Sequence, residues 1–354
     1  MISNFKPRKL LVVRLSSLGD ILLTTPFIRA LKQRFPRIRL DYLTGSRYRE
    51  LLQSNPHIDY LMTMDVGRGK KEIQSIAERV KCEGYDAYVD LHGAIRSLQI
   101  RRKSKVHQVL TFKKYRFQRA ILILLKRNIY PDDRSMALWM MDVGKTLGIQ
   151  DDGDGLDLFV EPDVEHNTRK LLEVKSQDSQ TDWIAMAPGA RHFTKRWPVD
   201  RWIDLARRLT ETYHVRILVL GDGDDRQLGK EIIAGIDDQG YNGAGLFSLS
   251  ESAAALSCCR VAITNDSGLL HMAAARRIPV IAMFGPTVRA FGFHPFRVPY
   301  RIMERSLACR PCSTKGSFRC PLKHFRCMLD ITPDNVFFAY QDLISHPEKI
   351  TMVT

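Results

Sequence analysis

The chain has 354 residues, enough for two domains of ordinary size, and is 44% hydrophobic, too apolar for a disordered chain. Its 54 Lys and Arg against 39 Asp and Glu leave a formal charge of +15, which points to anionic partners: nucleic acid, phosphorylated small molecules or an acidic membrane face. The opening MISNFKPRKLLVV lacks a signal peptide's apolar core, and no run in the basic middle nears the about 20 residues of a spanning helix, so the expectation is a cytoplasmic protein whose seven cysteines are thiols or metal ligands.

LLVVRL at 10–15 reads as a buried strand, and Ser16 to Asp20 as the turn after it. Ile21 to Phe35 has apolar residues at helical spacing, with Pro26 tolerable only in its first turns and Pro36 as the stop. Strands at 40–43, 58–64 and 87–91 alternate with helical segments at 48–53 and 72–81, and His92-Gly93 closes the last strand. Such alternation argues a doubly wound parallel sheet. Residues 91–130 then carry eleven Lys or Arg and no Asp or Glu, with Phe112, Tyr115 and Phe117 interleaved. Most charge runs are solvated helix faces, but this one suits a polyanion or an acidic bilayer. A helix at 135–147, capped by Ser135, and an acidic glycine-rich loop at 151–155 lead to the boundary between the halves.

The second half restarts the alternation. Strands at 183–187 and 215–220 are followed by the loop Arg191 to Pro198, the turn Gly221 to Asp225, and helices at 199–212 and 227–236. A helix capped by Ser250 follows Phe247. Val261 to Thr264 is a short buried strand, Asn265 to Gly268 a polar turn, Leu269 to Arg277 a small-residue helix, and Val280 to Phe284 a second strand. A last helix at 332–345 has Thr332 as cap and Pro333 at its start.

In open parallel sheets ligands lie beyond the carboxyl ends of the strands. Four turns stand at such ends. The turn 265–268 offers the Asp266 carboxylate, which suits sugar hydroxyls, and the N–H groups of Ser267 and Gly268 at a helix start, which suit phosphate oxygens. The other reading is that Asp266 or Ser267 only caps the helix. Asp20 in the first turn can accept a proton from an attacking hydroxyl, or simply cap its helix. Lys195, with the Thr194 hydroxyl beside it and Arg191 and Arg196 near, suits a phosphate. The acidic turn 221–225 suits ribose hydroxyls. Neither SSLGD nor GDGDDR has dinucleotide glycine spacing, and no P-loop run occurs, which argues against a nicotinamide enzyme and a P-loop ATPase.

SSLGD after LLVVRL, the KRWP loop, NDSGLLHMAAA with FGPT behind it, and the cysteine-bearing tail ending in ITPDNV together resemble glycosyltransferase family 9, the bacterial ADP-heptose:lipopolysaccharide heptosyltransferases and their relatives. The resemblance spans nearly the whole chain. It implies a GT-B fold: two Rossmann-like domains facing across a cleft, an acceptor domain at 1–160, a nucleotide-sugar domain at 161–330, and a helix at 331–354 returning to the first. It implies metal-independent, inverting transfer of heptose from ADP-heptose to a phosphorylated lipopolysaccharide core acceptor. Asp20 would be the base and Lys195 would meet the diphosphate. Asp266 would hold donor-sugar hydroxyls, with the Ser267 and Gly268 N–H groups on the phosphates and His271 close by. Asp225 most nearly matches the acidic residue on the ribose, with Asp222 and Asp224 as rivals, and Phe247 matches the chain beside the adenine. The family often has hydroxyl residues before the lysine; Ala190 and Arg191 stand there instead. The basic segment would hold the enzyme peripherally on the inner face of the inner membrane, without insertion.

Cys309, Cys312, Cys320 and Cys327 spell C-x2-C-x7-C-x6-C, whose first pair has metal-knuckle spacing and whose second does not; His324 is a substitute ligand. A zinc or iron there would brace the tail rather than do chemistry. Another nucleotide-sugar or acceptor, and a nucleic-acid-binding protein using the basic segment, are the alternatives; the latter needs no two sets of strand-end turns, so no nucleic acid is expected.

Overall fold

The computed structural model describes residues 7–176, 178, 181–348 and 351–353, without side-chain detail for the last three. The chain divides into two compact units, 1–115 with 134–159, and 116–133 with 160–354.

The first unit contains β1 (Lys9–Val13), α1 (Leu18–Leu22), α2 (Thr25–Arg34), β2 (Arg39–Gly45), β3 (Tyr60–Met64), α3 (Gly69–Cys82), β4 (Ala87–Asp90), α4 (Ile95–Ser104) and β5 (Gln108–Thr111). The chain then contributes α5 (Arg116–Leu125) to the other unit and returns with α6 (Met136–Met141). The sheet order is β3-β2-β1-β4-β5, and every pair is parallel. Leu11, Val13, Leu43 and Tyr88 from the strands pack with Ile73, Ile76, Ala77 and Val80 of α3, whose i, i+3, i+4, i+7 spacing makes one buried stripe. The helix expected at 21–35 is two: Pro26 opens the second, where its missing N–H costs nothing. Ser135 caps α6 through the Ala137 N–H. The acidic loop at 151–155 is tied down: Arg29 pairs with Asp152 and with the buried Asp157.

The second unit continues with α7 (Pro162–Ser176), β6 (Asp182–Ala187), α8 (Val199–Thr212), β7 (Val215–Val219), α9 (Arg226–Ala234), β8 (Gly240–Asn242), α10 (Leu249–Ser257), β9 (Cys259–Asn265), α11 (Gly268–Ala275), β10 (Val280–Phe284), β11 (Tyr300–Glu304), α12 (Arg326–Leu329), α13 (Pro333–Ser345) and β12 (Thr351–Val353). Its parallel sheet runs β12-β11-β10-β9-β6-β7-β8. Strands β6, β7, β9 and β10 are almost wholly buried, as runs such as WIAMA and VIAMF require when helices cover both faces.

One expectation is corrected here. The cap of α10 is Ser248, not Ser250: its hydroxyl accepts from the Glu251 N–H while Glu251 accepts from the Ser248 N–H, a reciprocal capping box. The last helix packs on the second unit: Val336, Ala339, Tyr340 and Leu343 of α13 join that unit's core, because this is the apolar stripe the helix has to bury. The division between the units at 159/160 lies one residue from the expected boundary, and 116–133 group with the second unit as well.

Candidate functional site

Each sheet has a switch point, where strands succeeding in sequence run off to opposite sides and leave a crevice at the carboxyl ends. In the first unit it lies between β1 and β4, and in the second between β6 and β9. The residues singled out from the sequence cluster at these ends.

In the first unit, Asp20 sits in α1, just after β1. Its carboxylate accepts from the Ser17 N–H at 3.2 Å and the Ser17 hydroxyl at 2.7 Å, so the capping reading is correct as geometry. It also lies 2.6 Å from the Arg14 guanidinium. Arg14 is itself buried and donates to the carbonyls of Leu91, at 2.5 Å, and Ser16, at 2.8 Å. One cation therefore ties the ends of β1 and β4 together and aims the carboxylate. Burial raises the Asp20 pKa, but Arg14 and the two Ser17 hydrogen bonds prevail and hold it at about 2. His92, after β4, is held neutral: burial, then Arg14 and Lys114, bring it down to about 3. Its turn is organised by Asp90, which accepts from the N–H groups of His92 and Gly93 and from the Ser97 hydroxyl. A side chain at Gly93 would press on Lys114, its φ being +54°. Arg14 is thus the charged partner of Asp20, with Lys114 and Arg96 near the neighbouring His92.

In the second unit, Lys195 and Asp266 meet across the switch point. Lys195 Nζ is 2.6 Å from Asp266 Oδ2 and also donates to the Asp266 carbonyl at 3.1 Å. The Thr287 hydroxyl, after β10, donates to the same carboxylate oxygen at 2.6 Å. Asp266 is buried, 8% exposed. Ser267 stands at the cap position of α11 without a side-chain cap hydrogen bond, its hydroxyl 3.2 Å from that of Thr264. His271 is one turn further on, buried and edge-on to Phe293. Thr194 is buried and exchanges hydrogen bonds with Ser317, while Arg191 is exposed on the loop.

Asp225 lies one strand over, behind β7. It is buried, and burial followed by the nearby Asp222 pushes its pKa up. Its carboxylate accepts from the Asp222 N–H at 3.2 Å and fills the space beside Gly189 and Gly221: a Cβ on Gly189 would lie 2.0 Å from Asp225 Oδ2. Asp222 and Asp224 are exposed, which separates Asp225 from its two rivals. Phe247 is half-buried against Tyr241, and its ring would touch a side chain at Gly243. Gly245 lies against Gly223, so the Phe247 loop adjoins the Asp225 turn.

The cysteine tail braces this end of the sheet. Arg310 donates to the carbonyls of Phe284, Gly285 and Thr287 and pairs with Glu304 at 2.7 Å. It thereby fixes the strand end that carries Thr287. Of the candidate metal ligands, Cys309 Sγ is 3.7 Å from His324 Nε2, and Cys309, Cys312 and Cys320 lie near enough to act electrostatically on Cys327; among the described residues no group of three or more His, Cys, Asp or Glu is already arranged to hold an ion. Cys327 faces the core, and burial pushes its thiol up to about 12. All seven cysteines are unbridged. No helix among the described residues is long and apolar enough to cross a membrane.

Arg14, His92, Thr287, Arg310 and Ser317 carried no role in the sequence reading. Arg14 alone had left a signal, a lone charge in the apolar run LLVVRL. The others act through contacts that sequence spacing does not report.

The family model described as glycosyltransferase family 9 (heptosyltransferase) matches residues 73–322. The chain is 27% identical to lipopolysaccharide heptosyltransferase 2 of Salmonella typhimurium, covering 95% of this chain and 99% of that one. Among solved structures it is similar to a glycosyl transferase family 9 protein of Veillonella parvula, with a TM-score of 0.79, 21% identity, and 96% and 98% of the two chains covered. It is also similar to ADP-heptose lipopolysaccharide heptosyltransferase II of Escherichia coli, with a TM-score of 0.74, 22% identity, and 96% and 100% covered. These likenesses carry the GT-B fold, two parallel-sheet α/β units. With the family model spanning most of its length, the chain belongs to glycosyltransferase family 9 and is a glycosyltransferase.

Proposed function

We propose that the protein transfers heptose from ADP-heptose to a phosphorylated lipopolysaccharide core acceptor, with inversion at the anomeric carbon and without a catalytic metal. The observation that carries this is the Lys195–Asp266–Thr287 cluster at the second unit's switch point. A cation, a carboxylate and a helix start side by side suit a sugar joined to a diphosphate. The names of the relatives, which include ADP-heptose and lipopolysaccharide, support the same donor and acceptor class.

In this reading Asp225 takes the ribose hydroxyls, Phe247 lies beside the adenine, and Arg191 and Thr194 flank the diphosphate. The Ser267 and Gly268 N–H groups bind phosphate oxygens, with His271 behind them. Asp266 holds the sugar's hydroxyls. Lys195 stabilises the negative charge that grows on the departing ADP. Asp20 of the first unit takes the proton of the attacking acceptor hydroxyl as the new C–O bond forms. A carboxylate at about 2 is a weak base in the ground state. It suffices if proton transfer is late, because the hydroxyl becomes strongly acidic once its oxygen bonds to a cationic anomeric carbon. It also stays ionised at every working pH. Lys114 and Arg96 near His92 favour an anionic acceptor. The eleven Lys and Arg of 91–130 support peripheral contact with the anionic inner face of the inner membrane, where such an acceptor and a cytoplasmic sugar nucleotide meet.

The test is to incubate the protein with ADP-heptose and the lipid acceptor and follow ADP release and glycolipid mass. Release of ADP with addition of one heptose supports the reading. Transfer only from a different nucleotide-sugar would move the donor assignment while leaving the family intact.

A further inference from the structure

Helix α5 is the one element the first half of the chain lends to the second unit. Its sequence, RFQRAILILL, has two unlike faces. One is anchored: Leu122 is buried, the Arg119 guanidinium lies over the Phe291 ring at 5.5 Å, and Lys126, just past the helix, donates to the carbonyls of Cys309 and Pro311. The opposite face carries Phe117, Ala120 and Leu124 at i, i+3, i+7, and all are exposed. Phe117 is 68% exposed, Leu124 77%, and the neighbouring Leu125 64%. An open depression between Arg116, Ala120, Leu124 and Thr314 extends this surface. A soluble protein gains nothing by holding a helix in place while leaving its largest apolar side chains in water. Arg116 and Arg127 are exposed at its two ends, and no acid lies anywhere in 91–130. Cations rimming an apolar stripe complement an anionic bilayer: the cations meet lipid phosphates and the stripe enters the acyl boundary.

We infer that α5 is a membrane-inserting anchor, which seats Phe117, Leu124 and Leu125 below the headgroups of an anionic bilayer while Arg116 and Arg127 stay at phosphate level. The contact is then more than the electrostatic touch expected from the basic segment. The inference rests on the proposed function only in that a lipid-borne acceptor gives the anchor its use.

The experiment uses the full chain with vesicles of phosphatidylcholine alone and of phosphatidylcholine mixed with phosphatidylglycerol. The four native tryptophans are buried, so Phe117→Trp adds one exposed reporter. The parent should sediment with the mixed vesicles only. The Trp of Phe117→Trp should shift to the blue and resist aqueous quencher when they are added. Phe117→Ser with Leu124→Ser should weaken binding about tenfold or more while an unchanged melting temperature shows the fold intact. No binding by the parent, binding without any change at position 117, undiminished binding by the double variant, or a parent whose stripe is covered by self-association that the variant abolishes would each overturn the inference. Heptose transfer to a short water-soluble acceptor is measured in parallel. Its absence alongside intact insertion would count against the proposed function and leave the anchor standing.

Discussion

Lys195 Nζ stands 2.6 Å from the Asp266 carboxylate, joining a residue behind β6 to one behind β9 across the point where the sheet changes direction. Both side chains are mostly buried, 14% and 9% exposed. Each therefore depends on the other for charge balance.

Removing the cation should have two separable effects. Lys195→Met leaves the Asp266 carboxylate with Thr287 as its side-chain donor. Transfer should slow by about a hundred- to a thousandfold, the size of losing one group that stabilises leaving-group charge. The fold should lose about 2–4 kcal/mol, as when one partner of a buried pair is deleted. In a double-mutant cycle, Lys195→Met with Asp266→Asn should recover part of that stability, which chemical denaturation reads directly. Additive losses would mean that the pair is not coupled.

The nucleotide end can be tested through a glycine. Gly189→Ala sets a Cβ 2.0 Å from Asp225 Oδ2, so the carboxylate has to move. ADP binding, followed by calorimetry, should weaken about ten- to a hundredfold, with roughly 1–3 kcal/mol of stability lost to overpacking. Asp225→Asn should weaken ADP similarly without that strain. ADP affinity unchanged in both variants would remove Asp225 from the nucleotide site.

Much of this was legible in the sequence because the strand–turn–helix pattern is a local signal. Runs such as WIAMA and VIAMF announce buried parallel strands, and the turns after them mark the carboxyl ends of those strands. The missed strands have physical reasons. Gln108–Thr111 is a half-exposed edge strand among basic residues, and Tyr300–Glu304 carries the buried Arg301, whose charge is met by Asp342. The return of α5 to the second unit could not be read, since its anchors, Phe291 and the carbonyls of Cys309 and Pro311, lie far along the chain. Cysteine spacing does not reveal that Cys327 turns into the core.

The Arg14–Asp20 pair predicts a pH dependence with a definite sign. The folded Asp20 titrates at about 2, below its ordinary 3.8. Its contribution to stability, about 2 kcal/mol at most, is therefore full above the ordinary value and is lost as pH falls through the folded one. Arg14→Gln takes away the coulombic partner and leaves burial, which raises the pKa. Both the acid limb of the rate profile and the acid-unfolding midpoint should move to higher pH in this variant. A shift to lower pH, or none, would contradict the assigned electrostatics.

The most direct measurement compares the parent with Asp20→Asn for heptose transfer from ADP-heptose to the lipid acceptor, with ADP binding measured on the same samples. Losing a positioned general base costs about a hundred- to ten-thousandfold in rate. The account predicts a loss of that size in kcat with ADP affinity unchanged, because donor binding belongs to the other unit. Full activity in Asp20→Asn would contradict it.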